Sequence, residues 1–309
     1  MLVFVTSHKG GTGRSVTAAN LAYRSALAGR ATCYLDYDFG SPTAGTVFQI
    51  PQATNGVEGA GPSGGGLHRY LRGEIPSPER LDVWAESERA SLRQRPTGSG
   101  PLLLLPGQRS GSEFRFTNEI GSRSAELFLR LEEEFDLTLV DLSAGRSYAS
   151  QIALAATAHP SLRKVTARWL VFHRWTPQHV MAAADLAFEA GGILAMAKEY
   201  GHEPEQLRES LRFVRTAVIN PRGAEVGHLD LAQQAFLRKC DTELAEMARR
   251  RGTGRTTLLG AVPLDPLLQW REQLISDNDV QIKIANGRTV DAFVELTEKL
   301  FDPTAWEAV

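Results

Sequence analysis

Cysteine, lysine and long hydrophobic runs are scarce in this chain. Its 309 residues contain only two cysteines, Cys33 and Cys240, which excludes a disulfide framework and a cysteine metal cluster. No apolar run approaches the roughly 18 residues of a membrane-spanning helix, and no charged and apolar leader segment follows Met1. We therefore expect a cytoplasmic protein that is neither exported nor embedded in a membrane.

The chain also lacks a strong net charge. Its 34 basic and 36 acidic residues give a formal charge of -2, which excludes a global attraction to nucleic acid or to an anionic membrane. Only 6 of the basic residues are lysines, so Lys9, beside a cluster of glycines, stands out. The 42% hydrophobic and 23% charged residues are typical of a soluble globular protein.

Short apolar runs recur along the chain, and most are continuous rather than alternating. Such runs are typical of strands buried on both faces of a parallel sheet. They lie at Leu2–Val5, Ala31–Leu35, Leu102–Leu105, Leu137–Leu142, Trp169–Phe172, Val214–Ile219 and Leu258–Val262. Helical patterns between them cover Ser15–Ala28, Arg123–Glu134, Gln178–Tyr200 and Leu231–Arg250. The sequence predicts an α/β fold with a doubly wound, mostly parallel sheet flanked by helices, in a single domain over residues 1–309.

A glycine-rich stretch, "NGVEGAGPSGGG" at residues 55–66, interrupts this pattern. So much glycine does not hold regular structure, which predicts a flexible loop near residues 54–66. Two readings of this loop stay open, a passive linker and a switch that responds to a nucleotide.

The stretch "SHKGGTGRS", residues 7–15, joins the first apolar run to the first helical pattern. Its glycines, Gly10, Gly11 and Gly13, let the backbone curl so that successive N–H groups point inward, where the start of the helix also faces. The pattern predicts a phosphate site, with the Ser15 hydroxyl placed to bind Mg²⁺.

Two alternatives compete with a phosphate loop. A glycine-rich turn between strand and helix can be merely tight. A dinucleotide-binding turn is superficially similar, with Asp36 about twenty residues further on. That fingerprint requires glycine or alanine where this chain has Val16, which favours the phosphate loop.

"KGGTGRS" resembles the deviant Walker A motif of the MinD/ParA family of P-loop ATPases, usually KGGxGK[ST]. The resemblance implies the P-loop fold of that family, an ATP-dependent homodimer and slow ATP hydrolysis. Lys9 matches the signature lysine, which in that family reaches the phosphates of the partner's ATP. The residues implied to bind the nucleotide here are Gly10, Gly11, Thr12, Gly13, Arg14, Ser15 and Val16.

Arg14 departs from the family's usual pattern, which has lysine at this position. A guanidinium keeps its charge and offers several donors to phosphate oxygens, so we expect ATP binding to persist. It is wider and planar, so its position over a transferred phosphoryl group differs from that of an ammonium. We therefore expect Arg14 and Lys9 to act as catalytic residues, and turnover to be the property that the arginine affects most.

Carboxylates follow two of the predicted strands. "YLDYDFGSPT" contains Asp36 and Asp38 and resembles the family's DxD segment. The resemblance implies that Asp38 orients the attacking water and that Asp36 helps to hold Mg²⁺. "FDLTLVDLSAG" resembles Walker B, which implies that Asp141 holds Mg²⁺ through water and that Gly145 lies near the γ-phosphate. Aspartates after a strand can instead cap a turn.

Two later segments resemble the adenine-binding part of the family. "RTAVINPRG" ends in a position like that of an asparagine that reads adenine, here Asn220, and "LLGAVPLDPLLQW" resembles the "GxIPxD" loop, with Pro263 and Asp265 on the base side. Asparagine is also a common turn former. The choice of ATP over GTP depends on Asn220.

The resemblance implies an ATP-driven switch that positions, partitions or assembles an unidentified protein partner. A non-hydrolysing nucleotide-binding scaffold is the alternative, because Arg14 replaces lysine. A kinase or reductase on the same fold is disfavoured, because no tyrosine follows Tyr200 and neither cysteine lies near the Walker B segment in sequence.

Two further partners are considered from the surface charge of single segments. "ARRRGTGR" offers a patch for nonspecific DNA binding, formed by Arg249, Arg250, Arg251 and Arg255, although a basic helix end also complements the helix dipole. The C-terminal segment has apolar residues at helical spacing, Phe293, Leu296 and Leu300, but an acidic balance. It is expected to pack on the sheet, and membrane binding is disfavoured.

Overall fold

One sheet runs through the part of the chain that the computed structural model describes, residues 1–59, 64–109, 111–113 and 115–307. Its strands within these residues are β1 (Leu2–Ser7), β2 (Thr32–Tyr37), β3 (Leu81–Asp82), β4 (Leu102–Leu105), β5 (Leu137–Leu142), β6 (Ala167–Arg174), β7 (Leu211–Val218) and β8 (Leu258–Pro263). They lie in the order β3-β4-β2-β5-β1-β6-β7-β8. Every neighbouring pair is parallel except β3 with β4.

Helices fill most of the connections between these strands. Within the described ranges they are α1 (Arg14–Leu27), α2 (Ala44–Phe48), α3 (Leu67–Leu71), α4 (Val83–Glu86), α5 (Ala90–Arg93), α6 (Asn118–Glu134), α7 (Tyr148–Thr157), α8 (Pro177–Phe188), α9 (Ile193–Glu199), α10 (Pro204–Glu209), α11 (Leu231–Arg250), α12 (Pro266–Trp270), α13 (Asp277–Gln281) and α14 (Gly287–Phe301). The predicted doubly wound α/β fold is confirmed. The two-residue strand β3 was not predicted, because a run of that length leaves no pattern.

Helices cover both faces of the sheet. All residues of β1, β2 and β5 are buried, as expected for central parallel strands. Along β1 the side chains alternate, so that Phe4 joins a core with α6, α7, α8 and α9, whereas Val3 and Val5 join a core with α1 and α14. The prediction that the C-terminal segment packs on the sheet is confirmed, since Phe293 and Leu300 of α14 belong to that second core.

The helix predicted over Gln178–Tyr200 is wrong as one element. It is divided into α8 and α9, because Gly191 has a φ of +74° and a Cβ on Gly192 would lie 2.6 Å from the Leu186 carbonyl oxygen. By length and composition alone, Pro177–Glu199 is apolar enough to cross a membrane. However, 61% of its most apolar window is buried within the described part of the molecule, as in the core helix of a soluble domain.

The glycine-rich stretch near residues 54–66 is described in part, because residues 60–63 lie outside the described residues. On one side of the gap, the Val57 amide donates to the Gly107 carbonyl. On the other side, the Gly66 amide donates to Gln108 Oε1 at 3.0 Å. Both flanks therefore attach to the same segment after β4. The flexible loop and the single domain stay predictions.

Candidate functional site

The glycine loop between β1 and α1 opens at the carboxyl edge of the sheet. Gly11 and Gly13 have φ values of +71° and +75°, a left-handed region in which glycine is favoured because it lacks a Cβ. Gly13 is also the residue before α1, and within the described part of the chain no side chain caps the first N–H groups of this helix. Uncapped N–H groups at the positive end of a helix form a site for an anion.

Thr12 lies at the centre of this loop and is buried. Its carbonyl oxygen accepts a hydrogen bond from the Thr216 hydroxyl of β7, which ties the loop to the sheet. Its own hydroxyl is buried and has no hydrogen-bond partner among the described residues. A buried hydroxyl without a partner is costly unless a ligand or water satisfies it.

A cavity of about 150 Å³ adjoins the loop. Val16 of α1 lines it on one side and Pro263, the last residue of β8, on the other. Ala217 contributes a strained backbone with a φ of +51°, unusual for a residue other than glycine. The remaining lining residues are Gly11, Thr12, Gly13, Thr17, Arg174, Thr216, Val262, Asp265, Leu268, Gln269 and Glu272.

Arg14 turns towards the carboxylates that follow β2 and lie in β5. Its Nε donates to Asp141 Oδ1 at 2.6 Å, and its Nη2 donates to Asp38 Oδ2 at 2.8 Å and to Ser15 Oγ at 3.2 Å. Tyr34 Oη donates to the other oxygen of Asp141 at 2.7 Å. The guanidinium is only 6% exposed, so it forms a buried bridge between the two aspartates.

Burial and the neighbouring charges shift the pKa of Arg14 in opposite directions. Burial by itself lowers the pKa of the guanidinium, but the negative charges of Asp141 and Asp38 raise it by more, so its pKa lies above the ordinary value. Asp36, which lies opposite Asp141 in the β2–β5 pairing, is buried, and it has no ion-pair partner among the described residues. Burial, followed by the charge of Asp141, raises the pKa of Asp36 well above its usual range, which favours the protonated acid.

The donors predicted for Mg²⁺ are Ser15, Asp36 and Asp141, and they do not fit a metal ion in this arrangement. Ser15 Oγ and Asp141 Oδ1 each accept a hydrogen bond from the Arg14 guanidinium. The other oxygen of Asp141 accepts the Tyr34 hydroxyl. Asp36 accepts the Ala44 amide at 3.0 Å. In the described part of the chain, no group of three or more His, Cys, Asp or Glu side chains is arranged to hold a metal.

Gly145 lies beside the start of the loop. Its amide donates to the Ser7 carbonyl at 2.7 Å, its φ is +77°, and a Cβ on it would lie 3.6 Å from the His8 carbonyl oxygen. Gly10 is exposed, and among the described residues other than its chain neighbours no heavy atom lies within 4 Å of the place a Cβ would take. The structure therefore brings together the loop, Asp38, Asp141 and Gly145, as the motifs predicted.

Lys9 is exposed at the rim of the loop, and within the described residues its ammonium has no ion-pair partner. Other cations lie near it. Burial and then the charges of Lys9, Arg174 and His8 lower the pKa of His179, which places these groups close together. Arg174 and His179 were not predicted, since their only signal in the sequence is a basic segment directly after the predicted strand Trp169–Phe172.

Asn220 does not join the cavity. It is exposed, and its Oδ1 accepts the Arg222 amide at 3.0 Å, the turn-forming contact that the sequence left open. Asp265 lines the cavity but is used within the fold, since its Oδ1 accepts the Leu267 amide and its Oδ2 accepts the Thr289 hydroxyl at 2.7 Å. The assignment of adenine recognition to Asn220 stays a prediction.

The predicted basic patch lies at and beyond the C-terminal end of α11. Its members, Arg249, Arg250, Arg251 and Arg255, are all exposed. Because α11 leads from the end of β7 to the start of β8, this patch lies at the edge of the sheet opposite the glycine loop. Its charges complement the helix dipole whether or not they bind DNA.

Solved structures match the chain over nearly all of its length, whereas no protein-family model and no curated protein matches it. The MinC–MinD cell division complex of Aquifex aeolicus aligns with a TM-score of 0.59 and 15% identity, over 97% of this chain and 95% of that chain. MinD of Pyrococcus horikoshii with Mg-ADP aligns with a TM-score of 0.53 and 14% identity, over 98% of both chains. A putative plasmid partition protein of Borrelia burgdorferi bound to AMPPNP gives 0.57 and 13%, over 96% of both. At these identities the likeness concerns architecture, and the chain has the MinD/ParA-type P-loop ATPase fold.

Proposed function

We propose that the chain binds ATP in the loop Lys9–Val16 and acts as an ATP-dependent dimerisation switch in the positioning, partition or assembly of a partner protein. The observation that carries the proposal is the loop itself. It has left-handed glycines, uncapped N–H groups and a buried, unpartnered Thr12 hydroxyl, and it opens onto a cavity that reaches Pro263. A polyphosphate satisfies these donors, and the adjoining cavity marks the side of the loop on which the rest of the nucleotide is proposed to lie.

Homodimerisation rests on Lys9. An exposed ammonium without a partner in the described part of the chain, at the rim of a phosphate site, is available to a second molecule. ATP bound in one protomer would then attract Lys9 of the other, so that the nucleotide controls association. The protein partner is unidentified, and the basic patch at the end of α11 has no part in this proposal.

Hydrolysis is proposed to be slow. Asp38 is the residue proposed to orient water, and it is 21% exposed, but its Oδ2 is engaged by Arg14. This ion pair favours the second candidate function, a nucleotide-binding scaffold that does not hydrolyse ATP. Because the predicted Mg²⁺ donors do not fit a metal, no role is assigned to Mg²⁺ here.

Light scattering and turnover measurements with ATP, ADP and no nucleotide test the switch. We expect ATP-dependent dimers, weakened in Lys9→Ala and persistent in Asp38→Ala because hydrolysis is blocked. Lys239→Ala, which removes an exposed lysine of α11, is the matched control and leaves association unchanged. Binding of ATP without turnover, with activity restored by Arg14→Lys, supports the scaffold. A wild-type chain that binds no nucleotide rejects both functions.

A further inference from the structure

We propose that the guanidinium of Arg14 takes the place of a divalent cation, joining Asp38, Asp141 and Ser15 to the nucleotide phosphates. Nucleotide then binds with the same affinity whether or not a divalent cation is present. This inference rests on the proposed nucleotide site and specifies its charge chemistry.

The first support is the position of Arg14. A cation that links a P-loop nucleotide to its protein has to lie between the hydroxyl at the start of the helix and the carboxylate at the end of a neighbouring strand. Arg14 bonds both, Ser15 Oγ at 3.2 Å and Asp141 Oδ1 at 2.6 Å, and it adds Asp38 at 2.8 Å. A positive charge is therefore already fixed between these groups.

The second support is the number of donors on a guanidinium. Arginine carries five N–H groups in a rigid plane. The bonds to Asp141, Asp38 and Ser15 use the one group on Nε and the two on Nη2. Both N–H groups of Nη1 have no hydrogen-bond partner among the described residues, so they are available to phosphate oxygens while the carboxylates stay bridged. A lysine ammonium has only three N–H donors, which are too few to bond Asp141, Asp38, Ser15 and the phosphates at the same time.

The third support is the rigidity of the bridge. The oxygen of Asp141 that Arg14 does not use accepts the Tyr34 hydroxyl at 2.7 Å, and Tyr34 is fully buried. Moving Arg14 away would leave two carboxylates without a cation in a buried site, which is costly. A divalent ion has to offset this cost before it occupies the same place.

The fourth support is the charge around the loop. One guanidinium between two carboxylates does not by itself balance a polyphosphate. Lys9 and Arg174 lie close to His179, as their effect on the pKa of His179 indicates. Lys9 and Arg174 supply further positive charge without a metal.

The test is equilibrium binding of a fluorescent ATP analogue to the full chain, with Mg²⁺ and with EDTA. For the wild type we expect Kd values that agree within about threefold in the two buffers. Arg14→Lys removes the guanidinium bridge, so the Kd of this variant should be at least about tenfold higher in EDTA than in Mg²⁺. Arg24→Lys, on the same helix and equally buried but paired with Asp277, is the control and should behave like the wild type.

Asp141→Asn keeps the test decisive if Arg14→Lys does not fold. Asparagine cannot serve as an anionic metal ligand, and it also removes one anchor of Arg14, so binding weakens by the same factor in Mg²⁺ and in EDTA and the ratio of the two Kd values stays within about threefold. Loss of affinity in Mg²⁺ alone would show a metal at Asp141 and overturn the inference. The inference is also overturned if the wild type binds tenfold more weakly in EDTA than in Mg²⁺. It is overturned as well if the Kd of Arg14→Lys is the same in the two buffers. A wild-type chain that binds in neither buffer removes the proposed function and the inference together.

Discussion

Arg14 connects the stability of the fold with the chemistry of the site. It is buried, and it compensates two carboxylates that belong to different parts of the sheet edge. Removing one partner of a buried ionic network leaves the others charged in a poorly solvated place. The same side chain therefore acts on folding even when no nucleotide is bound.

Arg14→Ala is expected to lower the free energy of unfolding by about 3–5 kcal/mol, because Asp38 and Asp141 lose their shared cation. Urea denaturation followed by circular dichroism measures the change. Arg24→Ala is the matched comparison and should cost less, since its partner Asp277 is 69% exposed and regains water. Equal losses in the two variants would mean that the bridge contributes nothing specific.

His68 gives the fold a dependence on pH. Its Nδ1 accepts the Gln108 amide, so the ring proton lies on Nε2, which donates to the Phe39 carbonyl at 3.1 Å. Burial lowers the pKa of His68 from 6.5 to about 4. Between these values the unfolded chain binds a proton that the folded chain does not, so stability is complete above pH 6.5 and is lost as the pH falls towards 4.

His68→Gln is therefore expected to flatten the decline in stability below pH 6.5, by at most about 3 kcal/mol. Burial also lowers the pKa of His173 to about 4, so the variant should keep the part of the slope that His173 contributes. Urea denaturation at several pH values measures it. His159→Gln, at an exposed position, should leave the slope unchanged. A slope equally steep in His68→Gln and the wild type would rule out this role.

The residues of the site were predictable where parallel strands bring them to one edge. Asp38 and Asp141 lie after β2 and in β5, and these strands pair in the sheet, so they approach the loop as the motifs predict. The contacts of Arg14 with the two aspartates were not predictable, because the motif implies only that the residue at this position binds phosphate. Tyr34 was also missed, because a tyrosine in a buried strand reads as a core residue.

At the scale of elements, continuous apolar runs located seven of the eight strands within the described residues, because central parallel strands are buried on both faces. Helix ends were harder to predict. The apolar period continues from α8 into α9, and only the backbone of Gly191 and Gly192 interrupts it. The apolar periodicity of the sequence predicts which face of a helix is buried, but it does not predict where the backbone breaks.

The first half of α11 depends on its cap more than on packing. Asp230 and Gln233 form a reciprocal capping box, while Leu231 and Phe236 are 81% and 67% exposed. Asp230→Ala should destabilise this end of the helix by about 1 kcal/mol. Faster amide hydrogen exchange in the first turns of α11 measures the loss, with nucleotide affinity unchanged. Asp230→Asn retains a capping oxygen and should exchange like the wild type. Unchanged exchange in the alanine variant would contradict a helix held by its cap.

At the scale of the molecule, the two ends of the chain share one core. β1 lies inside the sheet between β5 and β6, and α14, near the other end of the described residues, packs against α1 and β8. The ion pair between Arg24 and Asp277 joins the same two regions. Contacts of such long sequence separation support the prediction of one domain over residues 1–309, which the strand and helix pattern suggested and which stays a prediction.

The whole chain is therefore expected to unfold in one calorimetric transition. Phe293→Ala, which empties a fully buried position of α14, should lower its stability by about 3–5 kcal/mol without splitting the transition. Val294→Ala, on the same helix but 38% exposed, is the control and should cost much less. ATP at a hundredfold excess over its Kd should shift the same transition by about 2.7 kcal/mol, because binding near β1 stabilises everything that unfolds with it. A second transition that responds to Phe293→Ala but not to ATP would separate the C-terminal region from the nucleotide site and disprove the single domain.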